Sequence, residues 1–345
     1  MAVRLPNSGK KDGRVCRFPP FFICSATIVQ KKFDLSIAWR LYEMLITLTN
    51  REKQNFNRII TRIFFLLPAI LFIFYAVYIP FGWNTVLSFQ DWNGFSAPKW
   101  VGLKQYTAVF EDPVAVKSLV NSVFIGLVST AGAVLVGVAL AAFVYQVNQK
   151  EGALYRLILF MPVMLPSAIV GLLFVFMFNA EMGLINNFLR TIGLKGLVKA
   201  WLENRNTVMW CLVFVNIWKM SGLTMMLSFA AMQMLPMDIF ESSKLDGASV
   251  LHQFFRLILP LIQPTILLSA IYSLAINFKS YDIVWIMTRG GPGTTSHVTP
   301  IYMIKTGFRF GKFGFSAAQG MVLAAIVILI VVMIRRVFRS EKYEY

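Results

Sequence analysis

Apolar residues gather in six long runs bounded by charge, at about residues 60–80, 116–145, 155–178, 207–234, 261–286 and 316–334. A bilayer's hydrocarbon core is about 30 Å thick and takes roughly 20 helical residues to cross, so each run predicts a membrane-spanning helix. An even number of spans puts both termini on one side. The basic run Arg51, Lys53, Arg58 and Arg62 and the tail RRVFRSEKYEY assign that side to the cytoplasm by the positive-inside tendency. From residue 44 onward the balance is narrow, with 12 Lys/Arg on the inner side and 11 on the outer.

Polar and small residues inside the runs refine this picture. Ser129, Ala133, Gly137 and Ala141 recur every four residues in the second run, a ridge of small side chains that lets another helix approach closely. The third run holds Pro162, Pro166 and Gly171, and the fifth opens near Pro264. Proline at such depth is tolerated where neighbours or water satisfy the freed carbonyls, which suits a kinked structural helix or the wall of a solute path. A charge at the bilayer centre costs about 2.5–3.5 kcal/mol on the insertion scale, so those within spans usually face protein or water. Lys219 lies near the middle of the fourth run beside Asn216 and Trp218; Lys279 and Asp282 fall a helical turn apart in the outer part of the fifth, flanked by Asn277 and Tyr281. Asn216, Lys219, Asn277, Tyr281 and Asp282 are the candidates for lining a path. Lys279 can equally snorkel to the headgroups, and an i,i+3 pair can neutralise itself.

Composition agrees: 57% hydrophobic residues, 14% charged and a mean hydropathy of +0.65 define an integral membrane protein, since soluble chains are about a quarter charged. The net charge of +17 would suggest nucleic acid in a soluble protein. Here the cations sit between and beside apolar runs, where they meet lipid headgroups, and no nucleic-acid partner is expected. Cys16, Cys24 and Cys211 show no metal or redox spacing, and His252 and His297 are far apart. No phosphate-binding loop of the form G-x-x-x-x-G-K-[ST] occurs, so ATP, if used, is bound by a partner.

Between the runs, two outer loops, about 90–115 and 179–206, carry aromatic and small polar residues. They read as short interfacial or partner-docking helices, or as headgroup anchoring through Trp83, Trp92 and Trp100. Residues 1–43 hold two of the cysteines and an apolar patch, FPPFFICSATIV, too short to span. They are expected to be a disordered extension, or untranslated with Met44 as the start.

The polar stretch ESSKLDGASVLHQFFRLILP, residues 241–260, interrupts the apolar pattern. Pro236 breaks the preceding helix, and Asp238 followed by Glu241 reads as a capping-box variant opening a short helix. Gly247 suits the left-handed end of that helix, and Ser249 can cap the next. Leu251, Phe254, Phe255 and Ile258 then fall on one apolar face, with His252, Gln253 and Arg256 off it. Glu241, Lys244, Asp246 and Arg256 forbid burial in lipid, leaving a bent knob in water or in a partner protein, or an interfacial amphipathic loop.

This stretch resembles the cytoplasmic signature of the permease subunits of binding-protein-dependent ABC importers, in the carbohydrate branch that includes the maltose and glycerol-phosphate systems. That signature is E-A-A, three residues, G, nine residues, I-x-L-P. Glu241 leads, Ser242 and Ser243 replace the alanines, Gly247 follows in LDGAS with Asp246 and Ala248, and ILP ends at Pro260. Residues 281–324, from YDIVWIMTRGGPG onward, resemble a second signature of the branch, and VLSFQDWNG and WVGLKQY a less specific third. The resemblance covers about residues 58–340. It implies an all-α integral membrane fold, a six-transmembrane-helix permease core with a cytoplasmic coupling-helix loop at 236–260. A cytoplasmic extension (1–57) and tail (341–345) would flank the core. It implies that Glu241, Ser242, Ser243, Asp246, Gly247, Ala248 and Pro260 couple the chain to an ATPase. The implied partners are a second homologous permease, two cytoplasmic ATPase subunits and an extracytoplasmic solute-binding protein. The chain would be no enzyme and bind no cofactor, ATP and Mg being used by the ATPases. A gradient-driven secondary transporter, with Lys279 and Asp282 as a relay, is the alternative.

Overall fold

The apolar runs become helices because backbone polar groups out of reach of water must bond within their own segment. The computed structural model describes residues 50–338, with side chains from residue 60; the expectations for 1–43 and 341–345 lie outside the described residues. The chain divides into two units after Phe74. The described part of the first is essentially helix α1 (Asn50–Ile73), followed by a π-helical stretch, Phe74–Tyr78. The second carries α2 (Ile79–Leu87), the antiparallel pair β1 (Gln90–Asp91) and β2 (Lys99–Trp100), α3 (Lys104–Glu111), α4 (Pro113–Gln146), α5 (Gln149–Met164), α6 (Ser167–Met177), α7 (Leu184–Thr191) and α8 (Val208–Gln233). After these come α9 (Met237–Leu245), α10 (Val250–Leu261), α11 (Gln263–Phe278), α12 (Asp282–Thr288), α13 (Thr299–Ile304) and α14 (Phe313–Val337).

Ile60–Leu87, α4, α8 and α14 are each long and apolar enough to cross a bilayer as single spans. The α5–α6 pair, bent by 99°, and the α10–α11 pair, bent by 68°, bring the number to six when each counts as one span. The third expected span is therefore broken. Leu165 is extended at φ −73° and ψ 135°, the conformation favoured before a proline, and Pro166 has no N–H to continue the ladder. The fifth breaks again between Phe278 and Asp282, where the Tyr281 N–H closes a tight turn onto the Lys279 carbonyl at 2.6 Å. This corrects the expected pairing of Lys279 and Asp282: Lys279 caps the end of α11 and Asp282 opens α12, so they do not share a helix.

α8 is held between neighbours through small residues, those of the α4 ridge on one side and its own Gly222 on another. The ridge Ser129, Ala133, Gly137 and Ala141 is buried, and a Cβ built on Gly137 would lie 2.7 Å from the Ser221 carbonyl oxygen. On another side of α8, a Cβ at Gly222 would lie 2.2 Å from the Leu159 carbonyl oxygen in α5. α5 packs along the later half of α8, with Arg156 over the Phe229 ring at 4.5 Å. α6 packs along its earlier half, with the Phe174 and Trp218 rings 5.2 Å apart. Because Leu159 presents main chain that cannot rotate away, Gly222→Ala is expected to destabilise the purified protein by about 1–3 kcal/mol. Gly82→Ala, with nothing within 4 Å of the added carbon, serves as the control. Equal thermal unfolding midpoints for the two variants in detergent would refute this account of the packing.

At one end of the bundle, the loop end, the start of α4 fastens the chain that follows α12. Asp112 caps α4 through the N–H groups of Val114 (2.8 Å) and Ala115 (3.2 Å), and its other oxygen accepts from the Tyr302 hydroxyl at 2.7 Å. Asn121 donates to the carbonyls of Thr295 and His297, both at 2.8 Å. The His297 ring donates through Nδ1 to the Gly290 carbonyl, and burial pushes its pKa below the usual histidine value. Gly290 has φ +87°, and a Cβ there would sit 2.8 Å from that ring nitrogen. At Gly290 the RGGPG stretch thus follows a path that a side chain would obstruct. The opposite end, the knob end, holds α9 and α10.

Candidate functional site

At the knob end, α9 starts after Pro236 in extended conformation, without a side-chain cap. The expected capping box of Asp238 and Glu241 does not form, because the helix begins one residue before Asp238, which lies in the first turn. Its carboxylate there still complements the helix dipole, as Lys244 does in the last turn. The exit is as expected. Gly247 has φ +77°, the Ala248 N–H bonds the Ser243 carbonyl and the Gly247 N–H the Lys244 carbonyl, both at 3.0 Å, a Schellman closure. Ser249 then caps α10 by accepting from the His252 N–H at 3.3 Å.

The expected apolar face of α10 needs correction. A π-helical stretch at Phe254–Ile258 shifts the register that a 3.6-residue period assumes. Gln253 and Ile258 are buried, Phe254 is half-buried, and Leu251 and Phe255 are exposed. What fixes the knob to the bundle is a cluster of Phe240 from α9 and Ile258 from α10 with Ala141 and Val144 of α4 and Met225, Phe229 and Met232 of α8. The Tyr145 ring lies 6.3 Å from that of Phe240 and 6.4 Å from that of Phe229.

Around that anchor, Glu241, Ser242, Asp246, Gly247 and Pro260 are exposed and Ala248 is half-buried. Ser243 is buried, its hydroxyl donating to the Phe240 carbonyl at 2.9 Å, so its small size serves packing within the chain. Leu245, 90% exposed, stands beside Asp246. The knob thus leaves acidic residues and a leucine uncovered while Phe240 and Ile258 pack it onto α4 and α8.

Where the third and fifth spans break, the polar residues of α8 meet them. Lys219 is 7% exposed and its ammonium donates to the hydroxyl of Ser167, the first residue of α6. Asn216 donates to the Leu212 carbonyl at 2.8 Å and accepts from the hydroxyl of Ser280, in the second break, at 3.3 Å. The Asp282 carboxylate is exposed and close enough for its charge to act on Lys219. Tyr281 stacks on Trp285 at 5.8 Å and 11°. Asn277, near the end of α11, donates to the Thr130 hydroxyl of α4 at 3.1 Å, while its side-chain carbonyl oxygen has no partner among the described residues. The structure thus gathers Asn216, Lys219 and Asp282 around the two breaks, with Tyr281 beside them and Asn277 turned toward α4. Ser167 and Ser280 belong to the same polar group and were missed from the sequence; the one signal for Ser167 was its place directly after Pro166.

Comparisons with known proteins bear on the family and the fold. A probable ABC transporter permease of Bacillus subtilis, YurN, is 34% identical over 292 residues, covering 84% of this chain and 99% of its own length. The sn-glycerol-3-phosphate transport system permease protein UgpA of Escherichia coli O157:H7 is 30% identical, covering 82% of this chain and 91% of its own. Among solved structures, a chain of a bacterial ABC transporter involved in the import of alginate superposes with a TM-score of 0.72 over 85% of this chain and all of its own, at 21% identity, which speaks to the fold. With residues 133–339 matching the family profile itself, the chain belongs to the binding-protein-dependent transport system inner membrane components.

Proposed function

We propose that the chain is one permease subunit of an ATP-driven importer and forms the translocation path for a sugar or related solute. The observation that carries this reading is the exposed knob of Glu241–Gly247, joined through Phe240 and Ile258 to α4 and α8, the latter of which reaches the polar breaks through Asn216 and Lys219. In this reading the knob end faces the cytoplasm, both termini lie there, and the knob seats in a cleft of an ATPase subunit. Two ATPases that use ATP and Mg, a second homologous permease and an extracytoplasmic solute-binding protein complete the machine, and this chain performs no chemistry. ATP-driven closure displaces the knob, and α4 and α8 carry the motion to the breaks beside Ser167 and Ser280. The solute class is supported by relatives that include a sulfoquinovosyl glycerol permease of Agrobacterium fabrum, 29% identical over 70% of this chain, and the sn-glycerol-3-phosphate permease.

The gradient-driven alternative drew on Lys279 and Asp282 as an i,i+3 relay, and the break between α11 and α12 removes that motif. Uptake of radiolabelled sugars into proteoliposomes holding the assembled complex tests the function. Uptake that needs ATP inside and binding protein outside, and stops with vanadate, is expected. Uptake by this chain without any ATPase would overturn the reading.

A further inference from the structure

The loop end carries charge that its own chain does not balance. Lys99, Lys104, Lys117, Lys305, Arg309 and Lys312 all belong to one fastened platform. The Lys312 N–H bonds the Thr306 carbonyl at 2.9 Å, and the next residue, Phe313, bonds the Trp92 carbonyl at 3.0 Å, tying the segment before α14 to the β1–β2 hairpin. The Trp92 and Phe313 rings lie 5.3 Å apart, and a Cβ on Gly314 would fall 1.9 Å from the Gln90 carbonyl oxygen. α3 joins the same body. Lys104 and Lys312 line one cleft of about 330 Å³ with Asp91 and Asp112. The charges of Lys305 and Lys117 both act on His297, the residue that Asn121 and Gly290 tie into this end of the bundle.

The carboxylates of this platform are Asp91, Glu111 and Asp112. Asp112 has both oxygens engaged, by the α4 cap and Tyr302. Among the described residues none of the six cations is held in an ion pair. In the orientation above they also stand on the side that the positive-inside tendency disfavours. Beside them Phe95, Trp100 and Phe308 are 98%, 68% and 79% exposed. Exposed large aromatics are enriched at protein interfaces, and a surrounding field of one sign steers a partner of the opposite charge onto them. The fastened backbone means that little ordering would be needed on association.

We propose that this platform is the docking face for an acidic surface of the solute-binding protein. The proposal rests on the importer reading and adds to it where on this chain the binding protein sits and what charge it presents. The breadth of the patch, spread over the hairpin, α3, the start of α4 and residues 305–312, suits a protein face better than a small anion.

The test uses the complete permease–ATPase complex in phosphatidylcholine nanodiscs and the purified binding protein of the same transport system, with association followed by surface-immobilised kinetics. Raising salt from about 50 to 500 mM is expected to weaken docking about tenfold or more, chiefly by slowing association. Lys305→Glu with Lys312→Glu is expected to weaken it about as much at low salt, and neutral Lys305→Gln with Lys312→Gln to fall between. Docking that ignores both salt and charge reversal would overturn the proposal and leave the importer reading standing. Effects confined to nanodiscs with anionic lipid would assign the platform to headgroups instead and overturn it as well. Absence of docking at every ionic strength, together with absence of ATP-driven uptake, would overturn both readings.

Discussion

Gly247→Pro is expected to abolish ATP-driven uptake while the protein still inserts in the membrane. Gly247 sits at φ +77°, and proline is fixed near −65°. Its N–H bonds the Lys244 carbonyl, and proline has none to give. Both halves of the closure that sets the angle between α9 and α10 would fail together, so the knob would lose its shape while the spans, whose packing lies elsewhere, would keep theirs. Gly247→Ala should be milder, since an L-residue in the left-handed region costs roughly 1–2 kcal/mol and nothing lies within 4 Å of the added carbon. Glu241→Lys separates docking from shape. The side chain is exposed, so stability should move by no more than about 0.5 kcal/mol, yet uptake and co-purification of the ATPase should both be lost. Uptake at the parent level in both Gly247→Pro and Glu241→Lys would show that this segment is not the coupling element.

The long apolar helices and the turn of the knob were legible because each rests on a local rule: runs long enough to cross hydrocarbon, and a glycine and a serine whose capping roles need only their neighbours; the count of six holds when each bent pair is taken as one span. Gly247 and Ser249 behave as such rules require. The bends were half legible. Pro162 and Pro166 marked the third span, but a proline does not announce whether a helix kinks or turns through 99°, because that depends on what receives the freed groups. The second break, at Lys279–Tyr281, carried no proline at all; it is held by Asn216 reaching Ser280 from a helix 64 residues away in sequence, which no local pattern contains. The face of α10 failed for a related reason. Gln253 already faces inward before the π-helical stretch at Phe254–Ile258 begins, and within that stretch the 3.6-residue template no longer holds, so Phe255 lies outward. Of the path residues, Lys219 was found because a cation within a span is costly enough to stand out. Ser167 and Ser280 were not, because a hydroxyl in a helix is commonplace and gains meaning only from the lysine or asparagine that it meets.

Lys219→Met is expected to leave stability unchanged or raise it while lowering uptake at least about tenfold. Lys219 is nearly enclosed in the chain and donates to the Ser167 hydroxyl. Replacing a buried charged group by an apolar side chain of similar length is often neutral or stabilising, because the desolvation penalty disappears with the charge. Ser167 would lose a donor but can still rotate its own hydroxyl, and Asp282 is exposed on this chain rather than enclosed with the lysine. A purely structural role for the lysine therefore predicts that nothing measurable is lost. A role in the path predicts a different pattern, since the ammonium joins α8 to the start of α6 at the very place where the third span breaks, and Asp282 places a counter-charge at the next break. If motion arriving through α8 opens or closes the path there, the methionine variant should still dock binding protein and ATPase, hydrolyse ATP, and fail to move solute. Ser167→Ala, which removes the partner and keeps the charge, should show a smaller loss in the same direction. Parent-level uptake by Lys219→Met would remove Lys219 from the translocation path and leave Asn216 and Ser280 as the contacts between α8 and the broken spans still to be tested.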